Sequence, residues 1–208
     1  MTKTKETRAD QVYTYTSSKL KMLWDNHDTG YVKGMLATLR RGIGRKPGDL
    51  PELWGILFDR IPTELLGKNA ISYAEWAVYI ALTLYAMHQQ SNDQCMNEKN
   101  VSLGMAMAKF AETDEDKQRR VIQSLHLVAT ARSPYDLAYH FRSVIQILKS
   151  KPTGLDYSIL AKELYVVIYN MASGNDSAAV ATRWGRDFYR YIYEYGSDKD
   201  KGDNNDGQ

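Results

Sequence analysis

The spacing of apolar residues is the feature of this sequence that most restricts its fold. Almost every apolar segment repeats with the period of an α-helix, and none alternates cleanly as a half-buried strand would. The pattern is most regular in one stripe, which consists of Tyr157, Leu160, Ala161, Leu164, Val167, Ile168 and Met171. The sequence therefore predicts an all-α fold.

Breaks in this pattern predict two small helical bundles joined by a short linker. The linker is the polar stretch SNDQCMNEKN at residues 91–100, between an N-terminal bundle at 12–90 and a C-terminal bundle at 101–196. We also expect a flexible N-terminus at residues 1–11. A disordered tail is expected at 197–208, because SDKDKGDNNDGQ has no apolar residue to bury.

Capping residues predict where several helices begin. Ser72 is expected to cap a central helix at about residues 73–90, which is apolar nearly all round. Thr113 is expected to be the N-cap of a helix that ends near residue 131, and Asp156 should cap the most regular helix.

Composition excludes several classes of protein. The single cysteine, Cys95, rules out an intrachain disulfide and a thiolate metal cluster, and it fits a reducing compartment. The most apolar run, residues 76–87, is shorter than the ~20 residues that cross a bilayer. The N-terminus lacks the apolar core of a secretion signal. We therefore expect a cytoplasmic protein without a membrane segment.

No motif of a catalytic or metal site is present. The histidines, His27, His88, His126 and His140, are far apart and form no HExxH or HxxxH pair. The acidic residues before Lys117 fit helix capping better than paired catalytic carboxylates. A glycine-rich stretch, GIGRKPG, follows a helix and not the strand that precedes a phosphate loop. We expect no catalytic residue, no metal ion and no cofactor.

Positive charge is concentrated in two stretches, although the net charge is only +2. Residues 29–48 contain five basic residues and no acidic one, and residues 117–151 contain seven against the single acid Asp136. A solvated helix face is the alternative for either stretch alone, but both together favour binding to nucleic-acid backbone. The candidate binding residues are Lys33, Arg40, Arg41, Arg45, Lys46, Arg119, Arg120, Arg132, Arg142 and Lys149.

Helical spacing predicts how some of these side chains are presented. Arg41 lies opposite the apolar stripe of its helix, and Arg142 and Lys149, seven residues apart, share one face. Arginine predominates, and its planar guanidinium suits phosphate better than a lysine ammonium does. On the last helix, Tyr189 and Tyr193 lie off the apolar stripe and are the rings we expect at the surface.

The order of motifs resembles the CasB family, the small subunit of the type I-E CRISPR surveillance complex Cascade. The motifs are LRRGIGRKPGDLPELW at residues 39–54, VSLGMAMAKFAETDEDKQRR at 101–120, DLAYHFRSVIQIL at 136–148 and WGRDFYRY at 184–191. The resemblance covers about residues 10–195, which is essentially the whole part expected to fold.

The resemblance implies a non-catalytic subunit made of two helical bundles. Its partners would be the other Cascade subunits, a second copy of itself, the guide RNA and the target DNA. Its basic surface would stabilise the guide–target hybrid and the displaced DNA strand. The family's paired arginines match Arg40 with Arg41 and Arg119 with Arg120, and Arg142 matches one member of a further basic pair. The sequence departs from the family where it has Met105 and Phe141, since relatives often carry basic residues there.

Two other functions remain open at this stage. A helical scaffold could use the same basic faces to bind acidic protein partners, and a helical hydrolase could use His126 or His140. A strong salt dependence of binding to single-stranded DNA would favour the first interpretation over the scaffold. Turnover that a histidine substitution abolishes would be needed to support the hydrolase.

Overall fold

The computed structural model describes the backbone of residues 6–202 and the side chains of residues 6–194. The helices are α1 (Arg8–Asp25), α2 (Gly30–Arg41), α3 (Trp54–Phe58), α4 (Tyr73–His88), α5 (Leu103–Ala111), α6 (Glu115–Ala129), α7 (Pro134–Lys149), α8 (Tyr157–Ser173) and α9 (Ala178–Gly202). Two short 3-10 turns, Pro51–Leu53 and Thr63–Leu65, flank α3. Extended pairing in the described part of the chain amounts to an isolated bridge between Asn97 and Leu155. The predicted all-α fold is confirmed.

Helix α4 is the centre of the fold. Every residue from Trp76 to His88 is buried, because the segment is apolar on all sides and other helices surround it. Helices α1, α2, α7 and α8 pack against it. Ser72 caps α4 as the sequence predicts, and Glu75 completes a reciprocal capping box. None of the described helices is both long and apolar enough to cross a membrane.

The two predicted bundles contact each other through α7 and α8, which both pack on α4. Helices α1 and α4 from the first half pack on α8, and buried residues of both halves form one hydrophobic cluster. The connecting residues 91–100 form hydrogen bonds with residues of both halves. The Met96 N–H donates to Gln89 (2.9 Å), and the Asn100 N–H donates to the Asp156 carboxylate (2.9 Å). The division into two bundles stays a prediction, and the shared core argues for cooperative folding.

Two helix starts differ from the sequence-based expectation. Helix α1 begins at Arg8, inside the N-terminus expected to be flexible, because Thr7 and Asp10 form a capping box. Helix α6 is capped by Asp114 and not by Thr113, since the Asp114 carboxylate accepts the Lys117 N–H at 3.0 Å. A carboxylate also complements the positive end of the helix dipole, which a threonine hydroxyl does not.

The C-terminal end also differs from its prediction. Helix α9 continues to Gly202, into the tail expected to be disordered from residue 197. A helix can extend through residues without apolar side chains, since each added residue gains a backbone hydrogen bond once the helix is nucleated. The remainder of that predicted tail, residues 203–208, lies outside the described residues.

Close packing of two helices explains one of the sequence motifs. In the SLG motif, Ser102 caps α5 and Leu103 is buried. A Cβ atom on Gly104 would overlap the backbone carbonyl of Trp184 in α9, so only glycine fits at this crossing. The motif therefore sets the approach of α5 to α9.

Candidate nucleic-acid interface

An open groove of about 700 Å³ lies where the C-terminal ends of α2, α4 and α7 meet. Its lining residues are Arg40, Arg41, Ile43, Met87, Gln90, Arg142, Gln146, Lys149 and Ser150. Four of these side chains are basic and none is acidic. We call this feature the basic groove. It brings together cations that are about a hundred residues apart in the chain.

The apolar faces of α2 and α7 determine which side chains reach the groove. Both helices pack on α4 and bury their apolar stripes, which consist of Val32, Leu36 and Leu39 on α2 and of Leu137, Phe141, Val144, Ile145 and Leu148 on α7. As a result Arg41, Arg142 and Gln146 are exposed, whereas Arg40 and Lys149 are half-buried. The predicted outward position of Arg41 agrees with this arrangement.

The end of α2 is fixed to α4 by a hydrogen bond. The Tyr79 hydroxyl donates to the Gly42 carbonyl oxygen at 2.7 Å. A Cβ on Gly42 would lie 2.6 Å from that hydroxyl oxygen, so any larger residue would displace the contact. In the LRRG motif, Leu39 is thus a core residue, and Gly42 allows the end of α2 to pack against Tyr79 of α4. The two arginines between them line the groove.

The cations of the basic groove have no carboxylate partner within residues 6–194. Arg40, Arg142 and Lys149 form no ion pair there, and Arg41 donates only to the Thr38 hydroxyl at 3.0 Å. The negative ends of the three helix dipoles compensate about half an elementary charge each. Four full positive charges exceed this compensation. The groove therefore keeps a net positive charge.

Burial is the main cause of the lowered pKa values in and below the groove. Burial lowers the pKa of Arg40, and burial together with the charge of Arg40 lowers the pKa of Lys149. Burial, and secondarily the charge of Lys149, lowers the pKa of His88 to about 4. His88 Nδ1 lies 2.8 Å from the Tyr157 hydroxyl oxygen. His88 is therefore neutral at pH 7, and an anion in the groove would relieve the repulsion among the cations.

Smaller grooves continue the basic groove in both directions. Arg40 and Gln90 also line a groove of about 440 Å³ that includes Lys33, although Asp28 and Asp93 line it as well. Gln146 and Ser150 also line a groove of about 410 Å³ that includes Arg120. We call the three grooves together the basic path. It contains six of the candidate residues, namely Lys33, Arg40, Arg41, Arg120, Arg142 and Lys149.

The other four candidate residues do not line this path. Arg119 forms an ion pair with Asp116, one turn earlier on α6. Arg45 and Lys46 are exposed in the loop after α2. Arg132 lies between α6 and α7, where its backbone N–H donates to the Asp136 carboxylate at 3.3 Å. A role for these four in binding stays a prediction.

The sequence-based prediction of binding residues does not include the neutral polar residues of the groove. Gln146 lies four residues after Arg142 and three before Lys149, so helical spacing could have identified it. The sequence pattern does not single out Gln90, because it follows a helix that is apolar nearly all round. It does not single out Ser150 either, since Ser150 resembles an ordinary residue just after a helix end. Their side chains can donate hydrogen bonds to phosphate oxygens without adding charge.

The two residues that depart from the family pattern have different surroundings in the structure. Phe141 is fully buried and contacts Trp184 edge-on, with ring centroids 5.9 Å apart, so a basic residue in this register would face the core. Met105 is half-buried against the core and lines a separate groove with Lys162, Arg183 and other residues. Neither position belongs to the basic path.

Neither a metal site nor an aromatic surface adds to the basic path among the described residues. Among the described residues, no group of three or more histidine, cysteine or acidic side chains has the arrangement of a metal site. Tyr189 and Tyr193 are exposed, as their spacing predicts, while Trp184 and Phe188 are buried. These rings lie on α9 and are not among the residues that line the basic path.

Comparison with known proteins gives consistent matches. The model of the family of CRISPR-associated protein Cse2 matches residues 35–189. The crystal structure of CasB from Thermobifida fusca is 30% identical, with 86% of this chain and 97% of that chain covered at a TM-score of 0.68. A search of curated protein sequences gives no significant match.

Two more distant structures share the fold. A Cse2-family protein from Thermus thermophilus is 20% identical, with 84% of this chain and 97% of that chain covered at a TM-score of 0.58. A chain of a CRISPR RNA-guided surveillance complex is 19% identical, with 90% and 99% covered at a TM-score of 0.68.

Proposed function

The chain belongs to the family of CRISPR-associated protein Cse2, and on this premise we propose that it is a non-catalytic subunit of a CRISPR surveillance complex that holds nucleic-acid backbone in its basic groove. Its partners in this role are the other subunits, a second copy of itself, the guide RNA and the target DNA. The guide reads the target sequence by base pairing, so the protein has only to recognise backbone charge and shape.

The observation that carries the proposal is the convergence of four cations that have no carboxylate partner within residues 6–194. Arg40, Arg41, Arg142 and Lys149 line one open groove with no carboxylate among its lining residues. Concentrating like charges in this way disfavours the unbound protein, and half-burial of Arg40 and Lys149 adds to that cost. Phosphate groups of a bound strand would offset both costs. The continuation of the basic path towards Lys33 and Arg120 suits a chain of phosphates better than a single anion.

The scaffold alternative accounts less well for the chemistry of the groove. Interfaces with other proteins have central contacts that are rich in aromatic and apolar side chains and poor in charge. The basic groove has only Ile43 and Met87 as apolar lining residues, and its other seven residues are charged or polar. An extended, phosphate-rich ligand fits this lining better than a folded acidic protein does.

Charge reversal within the assembled complex tests the proposal. We would combine Arg41→Glu with Arg142→Glu, because both side chains are exposed and each change should alter stability by no more than about 0.5 kcal/mol. Guide loading should be unaffected, whereas the opened state of the target duplex should become less stable. The measurement is duplex opening on a fluorescent target, with circular dichroism as the check of folding.

A matched control uses cations outside the groove. Lys117→Glu combined with Arg119→Glu makes the same change in net charge on α6, where both side chains are exposed and paired. This variant should open the target duplex nearly as the unmodified protein does. Equal loss in both variants, or no loss in the groove variant, would refute the assignment of backbone binding to the groove.

A further inference from the structure

Lys149 differs from every other lysine in residues 6–194. Seven of these lysines have a carboxylate within ion-pair distance, namely Lys19, Lys21, Lys33, Lys109, Lys117, Lys151 and Lys162. Lys46, Lys68 and Lys99 have none and are exposed to solvent. Lys149 alone in this range lacks a carboxylate partner and is also half-buried. Lys149 lines the basic groove together with Arg40 and Arg142, and the charge of Arg40 acts on its amine.

The surroundings of Lys149 favour reaction of its amine. Burial and the charge of Arg40 lower its pKa, which increases the fraction of nucleophilic free amine at neutral pH. Arg40, Arg41 and Arg142 can hold the phosphate group of a small reagent in the same groove. A reagent that carries both a phosphate and an electrophilic carbonyl would therefore be concentrated next to the amine.

We propose that Lys149 is an acylation site for small acyl phosphates, and that its acylation weakens strand binding by removing one charge from the basic groove. The site itself follows from the groove and the unpaired amine. The consequence for strand binding rests on the proposed function.

The chemistry requires only the lysine and the acyl phosphate. The Lys149 ammonium first releases one proton to solvent. The free Nζ then attacks the carbonyl carbon, forming the C–N bond of an amide as the bond from that carbon to the phosphate oxygen breaks. The second proton leaves the nitrogen and ends on the departing phosphate. The products are the neutral Nε-acyl lysine and inorganic phosphate, so the groove loses one positive charge.

Site-resolved mass spectrometry of the intact chain after treatment with acetyl phosphate tests the site. Lys46, Lys68 and Lys99 serve as internal controls, because they are unpaired but lie outside the groove. Lys149 should be acetylated faster than these controls by about tenfold. Equal rates at Lys149 and the three control lysines would refute the proposal.

A second donor separates phosphate recognition from intrinsic reactivity. Acetic anhydride carries no phosphate, so the arginines of the groove cannot concentrate it. Arg142→Gln should therefore slow acetylation of Lys149 by acetyl phosphate severalfold and have much less effect with acetic anhydride. If Arg142→Gln changes neither rate, or both equally, the groove does not bind the reagent and the proposal is wrong.

The consequence for binding is measured separately, by single-stranded DNA affinity. Lys149→Gln, which mimics the neutral product, should lower affinity by about fivefold and the salt slope by about 0.7, while Lys149→Arg, which keeps the charge, should recover most of both losses. If acetylation is unselective but DNA binding still depends on Arg41 and Arg142, this inference is wrong and the proposed function is unaffected. If Lys149 is acetylated selectively but DNA binding depends on no groove cation, the proposed function is wrong, and so is the effect of acetylation on binding.

Discussion

The basic groove and the first turns of α6 both carry several cations, but their surroundings are different. In the groove, Arg142 and Lys149 have no carboxylate partner within the described residues. On α6, Lys117 lies 3.2 Å from Asp114, and Arg119 forms an ion pair with Asp116. Lys117 and Arg119 are therefore largely neutralised by their own helix, whereas the groove cations are available to an external anion.

The cause of this difference is the position of each cation along its helix. Lys117 and Arg119 lie in the first turns of α6, where acidic residues cap the N-terminus and complement the helix dipole. Arg40, Arg41 and Lys149 lie in the last turns of α2 and α7, where acidic residues would be unfavourable. Cations near helix C-termini thus remain free of local partners. Where several such ends meet, they form a binding surface.

The largest expected effect is on the affinity of the isolated protein for single-stranded DNA, and it should differ between the two regions. Arg41→Glu with Arg142→Glu should weaken single-stranded DNA binding by at least about 3 kcal/mol, roughly 100-fold, because two charge-assisted hydrogen bonds are lost. Lys117→Glu with Arg119→Glu should weaken it less than about threefold, since only long-range attraction changes. Fluorescence anisotropy at fixed salt measures both. A similar loss in the two variants would remove the distinction between the regions.

The next effect concerns His88, the histidine below the groove, whose pKa is lowered first by burial and then by the charge of Lys149. The folded-state pKa of His88 is lowered to about 4, so the unfolded chain binds more protons below pH 6.5. The free energy of unfolding contributed by His88 is therefore complete above about pH 6.5. It should fall by about 3 kcal/mol as pH drops through 4.

Comparison with one variant isolates this contribution. Glu163, whose pKa burial raises to about 7, acts in the opposite direction, because its stabilising effect is lost as pH rises from 4.5 through 7. His88→Asn retains a group that can bond the Tyr157 hydroxyl and leaves Glu163 unchanged. The difference in unfolding free energy between the protein and this variant should shrink on acidification. A difference constant from pH 7 to pH 4 would contradict the lowered pKa of His88.

The smallest expected effect concerns stability without ligand. Arg142→Gln should leave the free energy of unfolding unchanged or raise it by up to about 0.5 kcal/mol, because one unpaired cation is removed from the groove. Arg119→Gln should lower it by about 0.3 kcal/mol, the typical contribution of an exposed ion pair on a helix. Urea unfolding at low ionic strength measures the change in unfolding free energy for both variants. Destabilisation by Arg142→Gln would indicate that Arg142 has a structural partner.

The sequence was sufficient for the fold class and for most helix starts. Ser72 and Asp156 are the predicted N-caps, because their side chains bond locally and a local pattern determines them. The regular apolar stripe of α8 is buried between helices of both halves, which the sequence pattern did not indicate. Periodicity identifies the face that a helix buries, but not the helix that covers it.

The candidate site was predicted only in part, for the same reason. The side chains Arg40 and Arg142 were both identified, yet their meeting depends on α2 and α7 packing on a common helix, α4. Charge counts over a stretch of sequence did not indicate the local ion pairs on α6. The acid-poor stretch that begins at Lys117 excludes Asp114 and Asp116, which neutralise its first two cations. Local pairing is thus as important as charge density.

The salt dependence of single-strand binding tests the central claim most directly. Each phosphate neutralised contributes about 0.7 to the slope of log affinity against log salt concentration. We expect Arg142→Gln to reduce this slope by about 0.7, and Arg119→Gln to leave it unchanged, because Asp116 already neutralises Arg119. Equal slopes for the protein and Arg142→Gln, with a reduced slope for Arg119→Gln, would contradict the assignment of strand binding to the basic groove.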